Sequence, residues 1–351
     1  MTDDAKINDV AERLRRTFDS GRTKPLAWRR GQLQALRKLL VQESEVFLKA
    51  LEADLGKSPV EAYTTEIGFT LNEIDHTLKH LAGWLRPRKV AVPSSMLPGR
   101  AKIVREPLGV TLIIAPWNYP LQLALAPLVG ALAAGNCAVV KPSELAPATS
   151  AAIARLLPEH LDSEAVEVVE GAVQETTALL AQHFDHIFYT GNGTVGRIVM
   201  AAAAKNLTPV ALELGGKSPV IVEPGTDLAG AARRIVWGKY LNAGQTCVAP
   251  DYVLAIGETA DQLEPLLVKA IRSMYGSEPA DSQDYGRIVS ERHFDRLAAF
   301  LPEGRTVVGG GNDRAGRYIA PTVLADLDAD SPIMQEEIFG PILPIIRVAD
   351  L

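Results

Sequence analysis

"GVTLIIAPWNYPLQLALAPLVGALAAGNCAVVK", residues 109–141, carries the decision about the fold. "GVTLIIA" (109–115) is a short apolar run of strand type. The apolar stretch after it, to about residue 134, contains Gln122, Pro127 and Gly130. Nowhere does an uninterrupted apolar run approach about 18 residues, so this stretch reads as a buried helix packed on a sheet. "NCAVVK" (136–141) then returns to strand type. Strand, helix and strand in this order make a right-handed crossover unit with parallel strands.

The alternation continues on the C-terminal side. A helix over "ATSAAIARLLP" leads to a strand at "AVEVVE", and a helix near 173–182 leads to a strand at "DHIFYT". The helix "VGRIVMAAAAKN" and the strand "PVALEL" follow. A second series begins after residue 214, with strand "SPVIV", a helix through 227–241, strand "YVLAI" and a helix near 261–273. Both series predict an α/β fold with mainly parallel sheets, in two domains meeting near residue 210. On the N-terminal side, residues 1 to about 85 show helical spacing, as in Leu33, Leu36, Leu39 and Leu40. "RPRKVAVPSSMLPGR" (86–100) breaks that pattern with three prolines and a glycine, the mark of a surface connection or an inserted arm.

Composition narrows the class. The 351 residues suit two domains, and 47% hydrophobic with 22% charged residues is an ordinary globular balance. A net charge of −6 leaves no basic footprint for nucleic acid. The N-terminus has no apolar signal core. Two cysteines far apart make no disulfide framework, so a cytoplasmic location is the expectation.

Those two cysteines differ in setting. Cys137 lies inside an apolar run and reads as a small buried side chain. Cys247 ends "NAGQTC" (242–247), a polar, turn-like stretch in which backbone and thiol can approach a ligand.

A phosphate-loop candidate stands at "YTGNGTVGRIVM". Gly191, Gly193 and Gly196 spell G-x-G-x-x-G between a strand and a helix, and Glu213 follows Gly193 by 20 residues. The match is suspect. This strand comes late in the series, and Glu213 precedes "LGGKSP", whose glycines open the backbone. A solvated strand-end glutamate and a carboxylate that moves protons remain alternatives at this level. His183 and His186 form an H-x-x-H without the acid and spacing of a zinc helix, so no metal site is expected and both are read as solvated.

Four segments together carry a resemblance: "APWNYPLQLALAPLVGALAAGNCAVVKPSE", "LTPVALELGGKSPVIV", "GQTCVAPDYVL" and "MQEEIFGPILPI". They resemble the aldehyde dehydrogenase superfamily, and most of all its class 3 branch of fatty and aromatic aldehyde dehydrogenases. Each motif alone is moderately specific; four in order are highly so. The resemblance implies two Rossmann-like domains. Residues 1–209 would hold the N-terminal helices and an NAD(P)-binding domain, with an inter-subunit arm near 86–104. Residues 210–351 would be an incomplete catalytic domain.

It also implies roles. Cys247 would add to an aldehyde carbonyl, because hydride leaves a tetrahedral carbon far more readily than a carbonyl carbon. The amide of Asn118 and the backbone N–H of Cys247 would hold the oxyanion. Glu213 would be the general base that directs water at the resulting thioester. Lys141 and Glu144 in "KPSE" match contacts to the adenosine ribose of NAD or NADP, with Lys141 able to pair with a 2′-phosphate. Glu337 and Phe339 in "EEIFGP" match contacts to the nicotinamide half. Trp117, Gly191, Asn192 and Gly196 complete the expected cofactor contacts. Asn192 and Gly193 stand where the family often has Ser-Thr, and Gly193 offers no hydroxyl.

Relatives continue beyond "EEIFGP" into a Pro-Phe-Gly-Gly loop and a segment used in subunit contacts, so the resemblance implies a chain short of its C-terminal part. A homodimer is implied for the complete protein. Oxidation of medium-chain or aromatic aldehydes is the expected activity. A cysteine-dependent acyl hydrolase and an inactive nucleotide-binding remnant are the alternatives, and a hydrolase needs neither "KPSE" nor "EEIFGP".

Overall fold

The computed structural model describes residues 3–350, and these divide into two units. The first takes the chain up to Leu48 together with Tyr63–Glu213. An exposed antiparallel hairpin, β1 (Arg88–Val90) with β2 (Ala101–Ile103), fills the proline-rich stretch. Beyond it lie β3 (Val110–Ile114), β4 (Cys137–Lys141), β5 (Val166–Val168), β6 (His186–Thr190) and β7 (Val210–Glu213). They form one parallel sheet in the order β5-β4-β3-β6-β7. Strands β3 and β4 are buried at every position, as central parallel strands covered on both faces must be.

The helix Gln122–Ala134 packs on β3 and β4, as its apolar run predicts. Leu33, Leu36, Leu39 and Leu40 of the helix Leu26–Gln42 are fully buried. Each such leucine contributes about 2 kcal/mol through area removed from water.

The second unit takes Lys49–Ala62 and the chain from Leu214 on. Its sheet comprises β8 (Pro219–Val222), β9 (Tyr252–Ile256), β10 (Arg305–Val308), β13 (Thr322–Ala325) and β14 (Ile342–Val348). A small hairpin, β11 (Asn312–Asp313) with β12 (Tyr318–Ile319), interrupts the series. The order is β10-β13-β14-β9-β8, parallel except for the antiparallel edge pair β10–β13. Tyr275 packs edge-on against both Tyr240 and Tyr285 in the core, where the Tyr240 hydroxyl donates to the Thr322 carbonyl at 2.9 Å. The stretch 49–62 is tied in by the Arg287 N–H, which donates to the Leu55 carbonyl at 2.7 Å.

The sequence alone suggests one cut near residue 210. The compact units instead keep β7 with the first sheet and gather 49–62 into the second unit. Among the described residues, no helix is long and apolar enough to cross a membrane.

Candidate active site

In the first unit, the predicted residues gather at the carboxyl ends of the parallel strands. Trp117 and Asn118 follow β3, Lys141 ends β4 with Glu144 just beyond, Gly191 and Asn192 follow β6, and Glu213 ends β7. The chain leaves β3 toward β4 on one side, and β6 flanks it on the other. Open α/β sheets bind ligands at such a switch point.

Asn118 is buried and Glu213 is exposed at the edge strand. The Glu213 carbonyl accepts the Gly191 N–H at 3.0 Å, which ties the end of β7 to the glycine loop. A side chain on Gly191 would collide with Tyr189, whose hydroxyl oxygen would lie 2.3 Å from the new carbon. At Gly193 it would meet only Arg197 Nη1, at 3.5 Å. Close packing therefore demands glycine at Gly191 but not at Gly193, and Gly196 is buried within the helix that follows.

Asn192 is the N-cap of that helix, Gly193–Ala204; its Oδ1 accepts the Val195 N–H at 2.9 Å. Its amide nitrogen is a donor besides, at a helix terminus that favours anions. Thr190 Oγ1, at the end of β6, is buried without a hydrogen-bond partner. Lys141 is buried; its Nζ donates to the Pro142 carbonyl at 2.7 Å and pairs with Glu144 at 3.4 Å. Burial pushes the lysine pKa down and Glu144 opposes that. An orphaned hydroxyl, a helix N-terminus, a close-packed glycine and a lysine–glutamate pair together fit a dinucleotide.

His183 and His186 separate. His183 is exposed, whereas His186 is half-buried in β6 and not solvated as its sequence setting suggests; burial lowers its pKa. Among the described residues, no cluster of three or more metal-ligating side chains forms.

In the second unit, Cys247 is exposed and follows an unusual turn. The helix Leu228–Tyr240 passes into a tight turn, Leu241–Gly244, where Asn242, Ala243 and Gly244 take φ of 52°, 51° and 75°. Three consecutive left-handed residues are strained unless their surroundings impose them. Here they do. Gln245 is fully buried; its Nε2 donates to the Asn242 and Arg287 carbonyls, both at 3.0 Å, and its Oε1 accepts the Val289 N–H at 2.9 Å. A side chain on Gly244 would come within 2.3 Å of the Gly340 carbonyl. The thiol thus stands on a clamped backbone. Cys137, by contrast, is buried in β4, and burial pushes its thiol up to about 12, which leaves it inert.

The segment around Glu337 and Phe339 is pinned as well. Glu337 Oε1 accepts the Gly216 N–H at 3.1 Å, and its carboxyl is held above the usual range by burial, with the Gly216 N–H opposing. Asp251 Oδ1 accepts the Ile338 N–H at 3.0 Å while Oδ2 pairs with Lys217 at 2.6 Å. Lys217 also donates to the Ile333 and Glu336 carbonyls. Phe339 sits at φ 50°.

The model of the aldehyde dehydrogenase family matches residues 1–351. The chain belongs to this family. It is 50% identical over 340 residues to aldehyde dehydrogenase family 3 member A2 of Rattus norvegicus, covering 97% of this chain and 70% of that protein. It is 46% identical to a dimeric NADP-preferring aldehyde dehydrogenase of Canis lupus familiaris, covering 99% of this chain and 77% of the other. The substrate-bound state of Staphylococcus aureus AldH superposes with a TM-score of 0.96 at 46% identity, over 98% of this chain and 76% of that one. The chain is thus an NAD(P)-dependent aldehyde dehydrogenase of the family 3 type.

For this aldehyde dehydrogenase, sequence reasoning passed over the residues that hold the site in shape. Lys217, Gln245 and Asp251 lie inside the recognised motifs, yet only the structure shows each fixing a neighbouring backbone. Glu61 and Glu66 carry no sequence signal at all.

Proposed function

We propose that Cys247 is the nucleophile, Asn118 an oxyanion donor and Glu213 the base for hydrolysis, acting on medium-chain or aromatic aldehydes. The observation that carries this reading is an exposed thiol on a clamped turn, whereas the chain's other thiol is buried in a central strand. The Cys247 thiolate adds to the aldehyde carbon; a C–S bond forms and the carbonyl electron pair moves onto oxygen. The Asn118 amide and the Cys247 N–H donate to that oxyanion, and losing one such donor costs about 3 kcal/mol in the transition state. Bound NAD or NADP would supply the hydride acceptor, so that loss of the C–H hydride from the tetrahedral carbon leaves a thioester on Cys247. Glu213 takes a proton from water as its oxygen attacks the thioester, and the C–S bond breaks to release the acid and the thiolate.

Lys141 and Glu144 would hold the adenosine ribose, Glu337 and Phe339 the nicotinamide half, and Trp117, Gly191, Asn192 and Gly196 would make the remaining cofactor contacts. In this reading, residues 1–209 form the cofactor domain and 210–351 the catalytic domain. The hairpin near 86–104, with Met96 and Leu97 more than 60% exposed, is an arm for a second copy of the chain. Two cysteines far apart in the sequence suit the cytosol.

The test is reduced-nicotinamide absorbance with benzaldehyde and a medium-chain aldehyde, each with NAD and NADP. Cys247→Ser should abolish the signal and Asn118→Ala should lower kcat about 100-fold. Glu213→Gln should give a first-turnover burst followed by slow turnover. Full activity in Cys247→Ser sinks the reading.

A further inference from the structure

Two buried carboxylates stand five residues apart on one helical segment, and the chemistry above uses neither. Glu61 is 7% exposed and Glu66 is fully buried. Ser58 starts the segment, its hydroxyl accepting the Glu61 N–H at 3.2 Å. A π-helical turn follows, Tyr63–Ile67, and the helix resumes at Gly68, where an added side chain would sit 3.1 Å from the Tyr63 carbonyl. Single π turns of this kind recur at functional places in proteins.

Within the first unit, Glu66 Oε2 accepts the N–H groups of Leu121 at 2.8 Å and Gln122 at 3.2 Å. These are first-turn donors of the helix Gln122–Ala134, which have no partner inside the helix. A carboxylate there is favoured by the helix dipole as well. The loop carrying Asn118 therefore has two fixed ends. Glu66 holds the far end, and the Ala115 N–H, donating to the Lys141 carbonyl at 3.0 Å, holds the near end.

Within the second unit, Glu61 Oε1 accepts the Asn242 N–H at 2.8 Å. Asn242 is the first of the three left-handed residues before Cys247, where the chain has left its helix and this N–H needs another acceptor. Each carboxylate thus holds a turn that carries a candidate catalytic residue.

We propose that Glu66 and Glu61 are positioning residues of the oxidation, Glu66 for the Asn118 amide and Glu61 for the Cys247 thiol. This rests on the roles given to Asn118 and Cys247 above. Neither carboxylate touches the reacting atoms.

The test uses the full chain with kcat, KM and thiol reactivity as readouts. Glu66→Ala should lower kcat on the order of 10- to 100-fold, the effect of a small misplacement, with aldehyde KM changed less than about threefold. Adding it to Asn118→Ala should cost less than about twofold more, because the group it positions is gone. Glu61→Ala should slow iodoacetamide labelling of Cys247 about fivefold or more and alter its pH profile through changed thiolate character, while Glu66→Ala leaves labelling unchanged. Burial of Cys137 keeps that signal specific. Glu66→Gln and Glu61→Gln keep an acceptor oxygen and should recover most of each loss; where an alanine variant does not fold, Glu66→Met and Glu61→Met, which fill the space without an acceptor oxygen, take its place with the same expected losses. Undiminished kcat in Glu66→Ala, full additivity with Asn118→Ala, or unchanged labelling in Glu61→Ala overturns the inference. Undiminished kcat in Asn118→Ala would instead bring down the oxyanion reading, and the Glu66 half of the inference with it.

Discussion

Gly215 and Glu337 are packed so closely that a methyl group on Gly215 would lie 1.9 Å from Glu337 Oε2. The neighbouring Gly216 donates its N–H to the other carboxylate oxygen at 3.1 Å. The double glycine of "LGGKSP" is thus a cradle for one glutamate. Gly215→Ala should drive the Glu337 carboxylate out of it and raise KM for NAD or NADP several-fold, with a smaller change in aldehyde KM. Initial rates against cofactor concentration check this. An unchanged cofactor KM would mean that Glu337 does not hold the nicotinamide half.

Gln245→Ala should weaken the protein through a different route. The substitution leaves the Val289 N–H and the Arg287 carbonyl without the side chain that pairs them, while the Asn242 carbonyl keeps the backbone N–H of residue 245. Unpaired buried groups cost about 1–3 kcal/mol each, less where the remaining backbone relaxes. A loss of about 3 kcal/mol is expected, read as a lower denaturant midpoint. Gln245→Glu should be worse at neutral pH, since a carboxylate cannot donate to the two carbonyls.

How much of this was legible beforehand depended on whether the cause was local. The parallel sheet of the first unit follows from apolar runs such as "GVTLIIA" and "NCAVVK", because strands buried on both faces have to be apolar throughout. The exposed Cys247 and buried Cys137 were likewise visible in their neighbours. The placement of 49–62 in the second unit was not, since it depends on contacts such as Leu55 with Arg287, more than 200 residues away in the chain. For the same reason nothing in the sequence singles out Glu61 and Glu66. Only the folded chain brings the Asn242 and Leu121 N–H groups to them.

Asn192 offers a separable test of the glycine loop. Its Oδ1 caps the helix Gly193–Ala204 through the Val195 N–H, and its amide nitrogen is a donor besides. Asn192→Asp keeps the cap but puts a negative charge where a pyrophosphate would bind. It should therefore leave thermal stability within about 0.5 kcal/mol of the parent while raising cofactor KM. Asn192→Ala should lower stability by about 1 kcal/mol. Thermal melts and cofactor KM, measured on both variants, separate the two effects.

Lys239 supplies the pH dependence. It is fully buried on the helix that leads to the Cys247 turn, and its Nζ has no hydrogen-bond partner. Burial lowers its pKa to about 8 from the ordinary 10.5, with Asp251 opposing and Lys217 adding to the shift. Below pH 8 the group is charged in both folded and unfolded chains, and the full penalty for burying the charge is present. Between pH 8 and 10.5 the unfolded chain binds the proton and the folded chain does not, so stability from this group rises with pH. Above 10.5 both are neutral and the penalty is gone. Lys239→Met should therefore stabilise the protein at pH 7 by up to about 3 kcal/mol, with the gain shrinking as pH climbs from 8 toward 10.5. Denaturant unfolding of parent and variant across pH 6–10 is the measurement. A gain that stays constant over that range would mean that the lysine keeps its proton in the folded chain, held by Asp251 and Glu337 more tightly than its burial opposes.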